Sequence, residues 1–170
     1  MLGSSFGFLA LHGGLEAHTA EIAHAAAIAS NASFYAVVQP DDLKWHVPSH
    51  AYDPAMSDAL VAFLDHVDTV VSVHGFGGLR GSDDRWITGL LGGTNRELAA
   101  RLAARLRDAL PGYQWIDDLG LIPSHLRGVH PDNPVNRPVG GGVQLELPPR
   151  VRRTPGDAAA LIGALAAVAH

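Results

Sequence analysis

The chain alternates short apolar runs of strand length with longer segments of helix-forming residues, and this order limits the fold more than any other feature. Residues 6–11 (FGFLAL) form a continuous apolar run that meets a glycine pair, and residues 69–73 (TVVSV) are the most β-branched run. Continuous runs of this kind are typical of strands buried on both faces of a sheet. The order of strand and helix patterns predicts an α/β layer fold with a mostly parallel or mixed sheet.

Other patterns place the remaining elements. Further strands are predicted over residues 33–38, 113–116 and 143–147, with an edge strand at 45–47, and helices over residues 19–30, 54–66, 96–110 and 158–168. Thr94 and Glu97 have the spacing of a capping box in front of the third helix. Residues 39–54, 75–93 and 117–141 are predicted as loops, and loops of this length are usually functional.

Composition decides which chemistries are open to the chain. Its 170 residues are 47% hydrophobic and 17% charged, which fits one globular domain over residues 1–170. The absence of cysteine excludes disulfide frameworks, thiol nucleophiles, iron–sulfur clusters and cysteine-ligated zinc. Because 10 histidines and 17 acidic residues remain, a tight metal site in this chain would consist of imidazole and carboxylate groups.

Net charge and hydropathy limit the expected partners. A formal net charge of −5 argues against binding to nucleic acid or anionic membranes, which requires a basic surface. The amino terminus lacks the basic region of a signal peptide, and no uncharged apolar run reaches the roughly 18 residues of a membrane span. We expect a cytoplasmic protein without nucleic-acid or membrane partners, present as a monomer or a small homo-oligomer.

Polar residues stand at the ends of three predicted strands. His12 and His74 follow the strands at 6–11 and 69–73, and Glu146 lies in the strand at 143–147. In open α/β sheets, ligands bind in the crevice beyond the carboxyl ends of the strands. Three strand ends that point polar groups to one edge would therefore form a site.

Two interpretations fit each candidate metal ligand. In HGGLE at 12–16, the glycines permit a tight reversal that brings an imidazole and a carboxylate onto one cation, but Glu16 also fits an acidic first-turn residue of the next helix. His74 needs a polar partner if it is buried, and either a metal ion or a hydrogen bond would supply one. Together with His12, these residues form a two-histidine, one-carboxylate set with an open fourth position, as in catalytic zinc sites.

Gln144 and Glu146 share one face of the strand at 143–147. Two polar residues on one face are either exposed to solvent or lie at the border of a site. In the second case, the Glu146 carboxylate near a zinc-activated water would act as general base and then deliver the proton to the leaving amine.

Arginine and further histidines in the predicted loops are candidates for substrate binding. An arginine binds a carboxylate through two parallel hydrogen bonds, and a neighbouring asparagine can help to orient it, although such pairs also occur as ordinary surface residues. The two pairs in this chain are Asn95-Arg96 and Asn136-Arg137. Among the histidines outside the ligand set, His46, His50 and His130 are the best candidates for a functional role.

Five segments, spread from about residue 10 to residue 152, share a pattern with a known family. They are LHGGLEAHTAEIA (11–23), SVHG (72–75), LGGTNRELA (91–99), LRGVHPDNPVNRP (126–138) and GGVQLELPPRVR (141–152). In combination they resemble the poly-γ-glutamate hydrolases, which are zinc-dependent, carboxypeptidase-like enzymes of phages and bacteria.

This resemblance implies a fold, a site and an activity. The fold would be a compact three-layer α/β sandwich of the zinc-carboxypeptidase type, with a mixed, mostly parallel twisted sheet. His12, Glu16 and His74 would bind Zn²⁺, and Glu146 would be the catalytic carboxylate in the hydrolysis of a γ-glutamyl amide bond. The two Asn-Arg pairs and Gln144 would contact the substrate.

Two other functions stay open at this point. A zinc deacylase or carboxypeptidase that acts on N-acyl amino acids or cell-wall peptides would use the same residues, and a substrate panel would separate it from a γ-glutamyl hydrolase. A catalytically silent zinc-binding relative is the third hypothesis. The presence of Glu146 beside all three ligands argues against that hypothesis.

Overall fold

The computed structural model describes residues 1–43, 45–78 and 83–170, with Asp83 described by its backbone alone. Its strands are β1 (Ser4–Gly13), β2 (Ala32–Val38), β3 (Thr69–Gly75), β4 (Thr88–Leu91), β5 (Gln114–Ile116) and β6 (Gly142–Leu147). Its α-helices are α1 (Thr19–Ser30), α2 (Asp58–His66), α3 (Arg96–Ala109), α4 (Pro149–Arg153) and α5 (Pro155–Val168). Short 3₁₀ turns lie at Ser49–Ala51, Pro54–Met56, Asp83–Trp86, Ser124–Leu126 and Pro134–Asn136.

The strands of the described chain form one mixed sheet in the order β2-β1-β3-β6-β4-β5. The first four of these strands are parallel to one another, whereas β4 pairs antiparallel with β6 and parallel with β5. The predicted α/β fold with a mixed, mostly parallel sheet is therefore confirmed. Because β1, β3 and β6 are adjacent and parallel, their carboxyl ends meet at one edge.

Side chains that alternate along β1 pack against helices on both faces of the sheet. Phe8 and Ala10 belong to the larger core, which also contains residues of α1, α3 and α5, while Leu9 and Leu11 belong to a smaller core beside α2. All four side chains are completely buried. This burial on two faces explains the continuous apolar run at 6–11, and it gives the three-layer sandwich that the resemblance implies.

The third helix begins at residue 96 as predicted, but its cap lies one residue later in the chain than the predicted cap. Asn95 is the N-cap of α3, and its Oδ1 accepts a hydrogen bond from the Leu98 N–H at 2.9 Å. The predicted capping box at Thr94 and Glu97 is wrong, because the Thr94 hydroxyl donates to Asn136 Oδ1 at 3.0 Å instead. The leucines that recur every four residues along this helix, Leu98, Leu102 and Leu106, are buried, as is Leu110 at its carboxyl end.

Several other local predictions need correction. Strand β4 lies within the segment predicted as a loop, because its four residues are too few to show a periodicity. Helix α4 begins at Pro149. The pair Pro148-Pro149 predicts only the end of the strand at 143–147, but proline is also well suited to the first position of a helix. The predicted edge strand at 45–47 is absent from the described sheet pairings. The longest described helices have 14 residues, and none of the described helices has the length and apolar character of a membrane span.

Candidate metal centre and active site

Three functional candidates lie at one edge of the sheet, at the carboxyl ends of β1, β3 and β6. His12, His74 and Glu146 are each at most 4% exposed, and His74 stands directly beside Glu146 in the β3–β6 register. The register of β1 against β2 shifts between Ala10 and Gly13. Such irregularities at strand ends often redirect a side chain next to an active site.

A tight turn brings Glu16 back to the strand that carries His12. The backbone N–H groups of Leu15 and Glu16 both donate to the carbonyl oxygen of His12, at 3.1 and 2.8 Å. Gly14 has a φ of 82°, and a Cβ atom at this position would lie 2.3 Å from the backbone oxygen of Gln39. Glycine is therefore required at the centre of this turn.

The Glu16 carboxylate contacts the carboxyl ends of β1 and β3. Helix α1 begins only at Thr19, so Glu16 lies before its first turn, and the interpretation of Glu16 as a first-turn acidic residue is wrong. Its Oε2 accepts a hydrogen bond from the N–H of Gly75 at 2.8 Å, at the end of β3. This contact holds the carboxylate beside His74.

The ligand atoms of His12, Glu16 and His74 face one another. His12 Nδ1 lies 2.9 Å from Glu16 Oε1 and 3.1 Å from His74 Nδ1, and the distance from Glu16 Oε2 to His74 Nδ1 is 3.6 Å. One ligand atom from each residue lies within 4.8 Å of the others. Two imidazole nitrogens and a carboxylate thus surround one point.

The outer hydrogen bonds orient the two imidazole rings toward this point. His12 Nε2 lies 2.9 Å from the backbone oxygen of Val47, which can only accept, so Nε2 donates there and Nδ1 is the nitrogen that can bind a cation. His74 Nε2 is 2.8 Å from the Ser72 hydroxyl. Metal-ligating histidines are usually oriented by such a bond from the other ring nitrogen.

The arrangement fits a tetrahedral cation. Zinc bonds of about 2.0–2.2 Å separate neighbouring ligand atoms by about 3.3 Å. The distances from His12 Nδ1 to Glu16 Oε1 and to His74 Nδ1, 2.9 and 3.1 Å, are close to this value, and the other carboxylate oxygen, Glu16 Oε2, lies 3.6 Å from His74 Nδ1. A cation at the centre would take the place of the proton in the 2.9 Å hydrogen bond between His12 Nδ1 and Glu16 Oε1. Nitrogen and oxygen ligands of this kind suit zinc.

Electrostatics keep the Glu16 carboxylate charged. Burial raises the pKa of Glu16, but hydrogen bonds with His12 and His74 outweigh burial and hold that pKa well below its ordinary value. The pKa of His74 shifts in the opposite direction. Burial lowers it, but the hydrogen bond to Glu16 and the charge of Glu146 outweigh burial and raise the pKa above its ordinary value. An ionised carboxylate at this position is the form that binds a metal ion.

Glu146 lies at the border of the site and is held by a buried chain of amides. Gln144 Nε2 donates to Glu146 Oε1 at 2.8 Å, and Asn133 Nδ2 donates to Gln144 Oε1 at 2.8 Å. All three side chains are at most 5% exposed, so the alternative that Gln144 and Glu146 face solvent is wrong. Burial raises the pKa of Glu146, and the charge of His74 opposes this only in part.

These groups line a cavity of about 770 Å³ whose outer wall is rich in imidazole. The wall includes His46, His50, His125 and His130, which come from two of the predicted loops. The rings of His50 and His130 lie 4.7 Å apart, and the ring of His46 lies 4.5 Å from that of His12. Two of the three predicted long loops, 39–54 and 117–141, thus form part of the cavity wall.

The first Asn-Arg pair does not contact this cavity. The Arg96 guanidinium donates to the backbone oxygens of Gly92, Gly93 and Leu91 at 3.0–3.2 Å and to that of Asp117. Asn95 caps α3 with its oxygen and donates to the backbone oxygen of Gly140. The expectation that this pair binds substrate needs correction, because both side chains are used to fix the backbone.

In the second pair, Asn136 holds the backbone of two residues that line the cavity. Asn136 Nδ2 donates to the backbone oxygens of Gly128 and His130, at 2.7 and 2.9 Å, while its Oδ1 accepts from Thr94. Arg137 is partly exposed and lies 3.6 Å from an oxygen of Asp132. Neither residue lines the cavity, whereas Gln144 does.

Two residues that line the cavity, His125 and Asn133, are not predicted by any pattern in the sequence. The Asp-Asn-Pro sequence at 132–134 indicates a turn, and Asn133 Oδ1 does accept from the Val135 N–H at 3.3 Å. Its contact with Gln144 depends on the position of the turn beside β6, which no local pattern shows. His125 lies in the Ser124–Leu126 turn. The preceding residues Pro123 and Ser124 indicate a turn, but they do not indicate that His125 lines a cavity.

Known proteins resemble this chain both in sequence and in fold. The poly-gamma-glutamate hydrolase family matches residues 1–158. Among solved structures, bacteriophage poly-gamma-glutamate hydrolase is similar with a TM-score of 0.78 and 23% identity, over 99% of this chain and 86% of that chain.

A second solved structure, the zinc-free apo form of YNDL, is similar with a TM-score of 0.71 and 25% identity, over 89% of this chain and 70% of that chain. No curated protein matches this chain. Because the family match covers nearly the whole sequence, the chain belongs to the poly-gamma-glutamate hydrolase family.

Proposed function

We propose that this chain is a zinc-dependent hydrolase that cleaves γ-glutamyl amide bonds, in poly-γ-glutamate or in a related γ-glutamyl compound. The main support is the cluster of His12, Glu16 and His74, whose ligand atoms face one point while the far nitrogen of His12 donates to a backbone carbonyl. Membership of the family supports the substrate class. The zinc-free form of the similar protein YNDL supports zinc as the metal.

The three ligands would leave one position of a tetrahedral site open. Among the described residues, the cluster contains no fourth histidine or carboxylate ligand, as expected for a catalytic rather than a structural zinc site. A zinc ion bound there supplies Lewis-acid chemistry, which makes a water molecule more acidic and polarises a carbonyl group.

Glu146 would move the proton in this reaction. Its carboxylate accepts a proton from water as the water oxygen bonds to the amide carbon, and it returns that proton to the amide nitrogen as the carbon–nitrogen bond breaks. The products are a carboxylic acid and an amine, with one water consumed. Because burial raises the pKa of Glu146, its carboxyl group is suited to both steps. Gln144 keeps the carboxylate in place through the 2.8 Å hydrogen bond.

The cavity wall favours a substrate that carries carboxylates. Among the described lining residues, the acidic side chains are Glu16 and Glu146, and the basic ones are histidines rather than arginine or lysine. His130 Nδ1 accepts from the Asp132 N–H at 3.2 Å, so Nε2 of the neutral ring carries a proton that can be donated. We assign His50 and His130 to the binding of substrate carboxylates.

Metal analysis combined with hydrolysis assays tests this proposal. The purified protein is expected to contain one zinc ion per chain, to lose hydrolysis of poly-γ-glutamate on treatment with a chelator and to regain it with zinc. Glu146→Gln should keep the zinc and lose turnover, whereas the exposed Glu97→Gln on α3 should behave like the parent. Full activity of the metal-free protein, or of Glu146→Gln, would show that the proposal is wrong.

A substrate panel decides the bond that is cleaved. Poly-γ-glutamate is compared with α-linked polyglutamate, N-acyl amino acids and cell-wall peptides at equal concentration. The proposal predicts preference for the γ-linked polymer or a γ-glutamyl amide. Cleavage of N-acyl amino acids or cell-wall peptides alone would assign the same groups to a deacylase or carboxypeptidase instead.

A further inference from the structure

Arg152, in helix α4, is a buried arginine that the proposed reaction does not use. Its side chain is 8% exposed and lies outside the group of residues that line the cavity. The guanidinium donates to three backbone oxygens: Nη1 to Ala17 at 2.6 Å, Nε to Leu147 at 3.3 Å and Nη2 to Phe76 at 3.4 Å. A buried guanidinium is costly without such partners, so these bonds hold its position.

The three acceptors belong to the three segments that carry the site. Ala17 directly follows Glu16, and Leu147 directly follows Glu146. Phe76 follows His74 by two residues. One planar guanidinium therefore connects three backbone positions. Each of them follows a candidate metal ligand or the candidate catalytic carboxylate by one or two residues. The fork of an arginine is rigid, so its donors also fix the distances between these segments.

A glycine at the end of β3 permits this arrangement. A Cβ atom at Gly75 would lie 2.6 Å from Cζ of Arg152, so the guanidinium lies directly against the Gly75 backbone. The N–H of the same Gly75 donates to Glu16 Oε2 at 2.8 Å. The peptide that orients the Glu16 carboxylate is thus in contact with the guanidinium on its other side.

Charge adds to this connection. Burial lowers the pKa of Arg152 below its ordinary value, while the negative charges of Glu16 and Glu146 act in the opposite direction. A cation here offsets the repulsion between the partly buried Glu16 carboxylate and the buried Glu146 carboxylate. The neighbouring Arg153 is exposed and makes none of the three carbonyl contacts among the described hydrogen bonds.

We infer that Arg152 is a positioning residue for the metal centre. By bonding to Ala17, Phe76 and Leu147, its guanidinium sets the separation of Glu16, His74 and Glu146, and through them the affinity and geometry of the bound metal. The inference rests on the proposed function, because it requires a metal at these ligands. Arg152 itself contacts neither metal nor substrate.

The test compares Arg152→Lys and Arg152→Met with Arg153→Lys and Arg153→Met as matched controls on the same helix. Zinc affinity is measured by competition with a chromophoric chelator, and ligand geometry by the visible absorption of the cobalt-substituted protein. The Arg152 variants are expected to bind zinc about 10- to 100-fold more weakly, as is typical when a group that orients metal ligands is lost. Their cobalt spectra should change, and kcat should fall more than KM rises. The Arg153 variants should match the parent.

The outcomes separate this inference from the proposed function. If the parent binds zinc and both Arg152 variants keep its zinc affinity and cobalt spectrum, the inference is wrong and the proposed function stands. If the parent binds no zinc, both are wrong. If the Arg152 variants do not fold, Gly75→Ala displaces the guanidinium without removing it. A folded Gly75→Ala protein with parental zinc affinity would overturn the inference, and weakened zinc binding would support it.

Discussion

Replacing Gln144 by methionine tests how the catalytic carboxylate is held. Methionine keeps the length and flexibility of the side chain and removes the amide that donates to Glu146 Oε1 at 2.8 Å. A hydrogen bond to a charged group contributes about 1.5–3 kcal/mol. If this hydrogen bond positions the Glu146 carboxylate for proton transfer, loss of the hydrogen bond lowers kcat/KM by about 10- to 150-fold.

The same substitution has a separate cost in stability. Asn133 Nδ2 loses its 2.8 Å bond to Gln144 Oε1 and keeps only the 3.4 Å contact with the Gly128 oxygen. A buried donor left without a good partner costs about 1–3 kcal/mol. We therefore expect the free energy of unfolding to fall by this amount while the zinc content stays unchanged.

The assay measures kcat/KM on poly-γ-glutamate and the urea unfolding curve for Gln144→Met and for Gln114→Met. The second change removes the same chemical group from an exposed position on β5, so its kcat/KM should equal that of the parent. Parental kcat/KM in a folded, zinc-loaded Gln144→Met protein would refute the assignment of Gln144 as the group that holds Glu146.

Three further predictions concern substrate binding, packing and pH. His50→Ala should raise KM for poly-γ-glutamate about 2- to 10-fold with kcat unchanged, since one donor to the substrate is lost; an unchanged KM would contradict the assignment. Gly89→Ala places a Cβ atom 2.3 Å from Cζ3 of Trp115, so urea unfolding should show a loss of about 1–3 kcal/mol. Burial and the hydrogen bond to Asp157 raise the pKa of Tyr113. A group whose pKa is raised in the folded state contributes to stability below its unfolded pKa, which is about 10 for tyrosine. This contribution is lost as the pH rises above that value. Unfolding free energy should therefore fall above that pH, and Tyr113→Phe should flatten this decline.

The layered fold and the place of the site follow from local patterns in the sequence. The runs at 6–11 and 69–73 are apolar on both faces because helices cover both sides of β1 and β3. Parallel strands share the direction of their carboxyl ends, so His12, His74 and Glu146 reach one edge. Both features follow from the spacing of apolar residues and from the order of strands and helices, and a single sequence contains this information.

The roles of the asparagine and arginine side chains depend on tertiary neighbours and were not predictable in the same way. Arg96 and Arg152 carry the same guanidinium, and both donate to backbone oxygens from distant segments. Nothing within a few residues of Arg152 identifies Ala17 as its partner, because 135 residues separate them in the chain. The short strand β4 and the proline-led α4 were missed because four or five residues are too few for a periodic signal.

A crystal structure of the zinc-loaded protein, with anomalous diffraction recorded at the zinc absorption edge, tests the central claim most directly. We expect one strong anomalous peak per chain, in contact with Nδ1 of His12, a carboxylate oxygen of Glu16 and Nδ1 of His74. The peak should be absent in His74→Ala and present in His24→Ala, a change at an exposed histidine on α1. A zinc-loaded crystal with no peak at these three residues, or with its zinc bound at other histidines, would contradict the account.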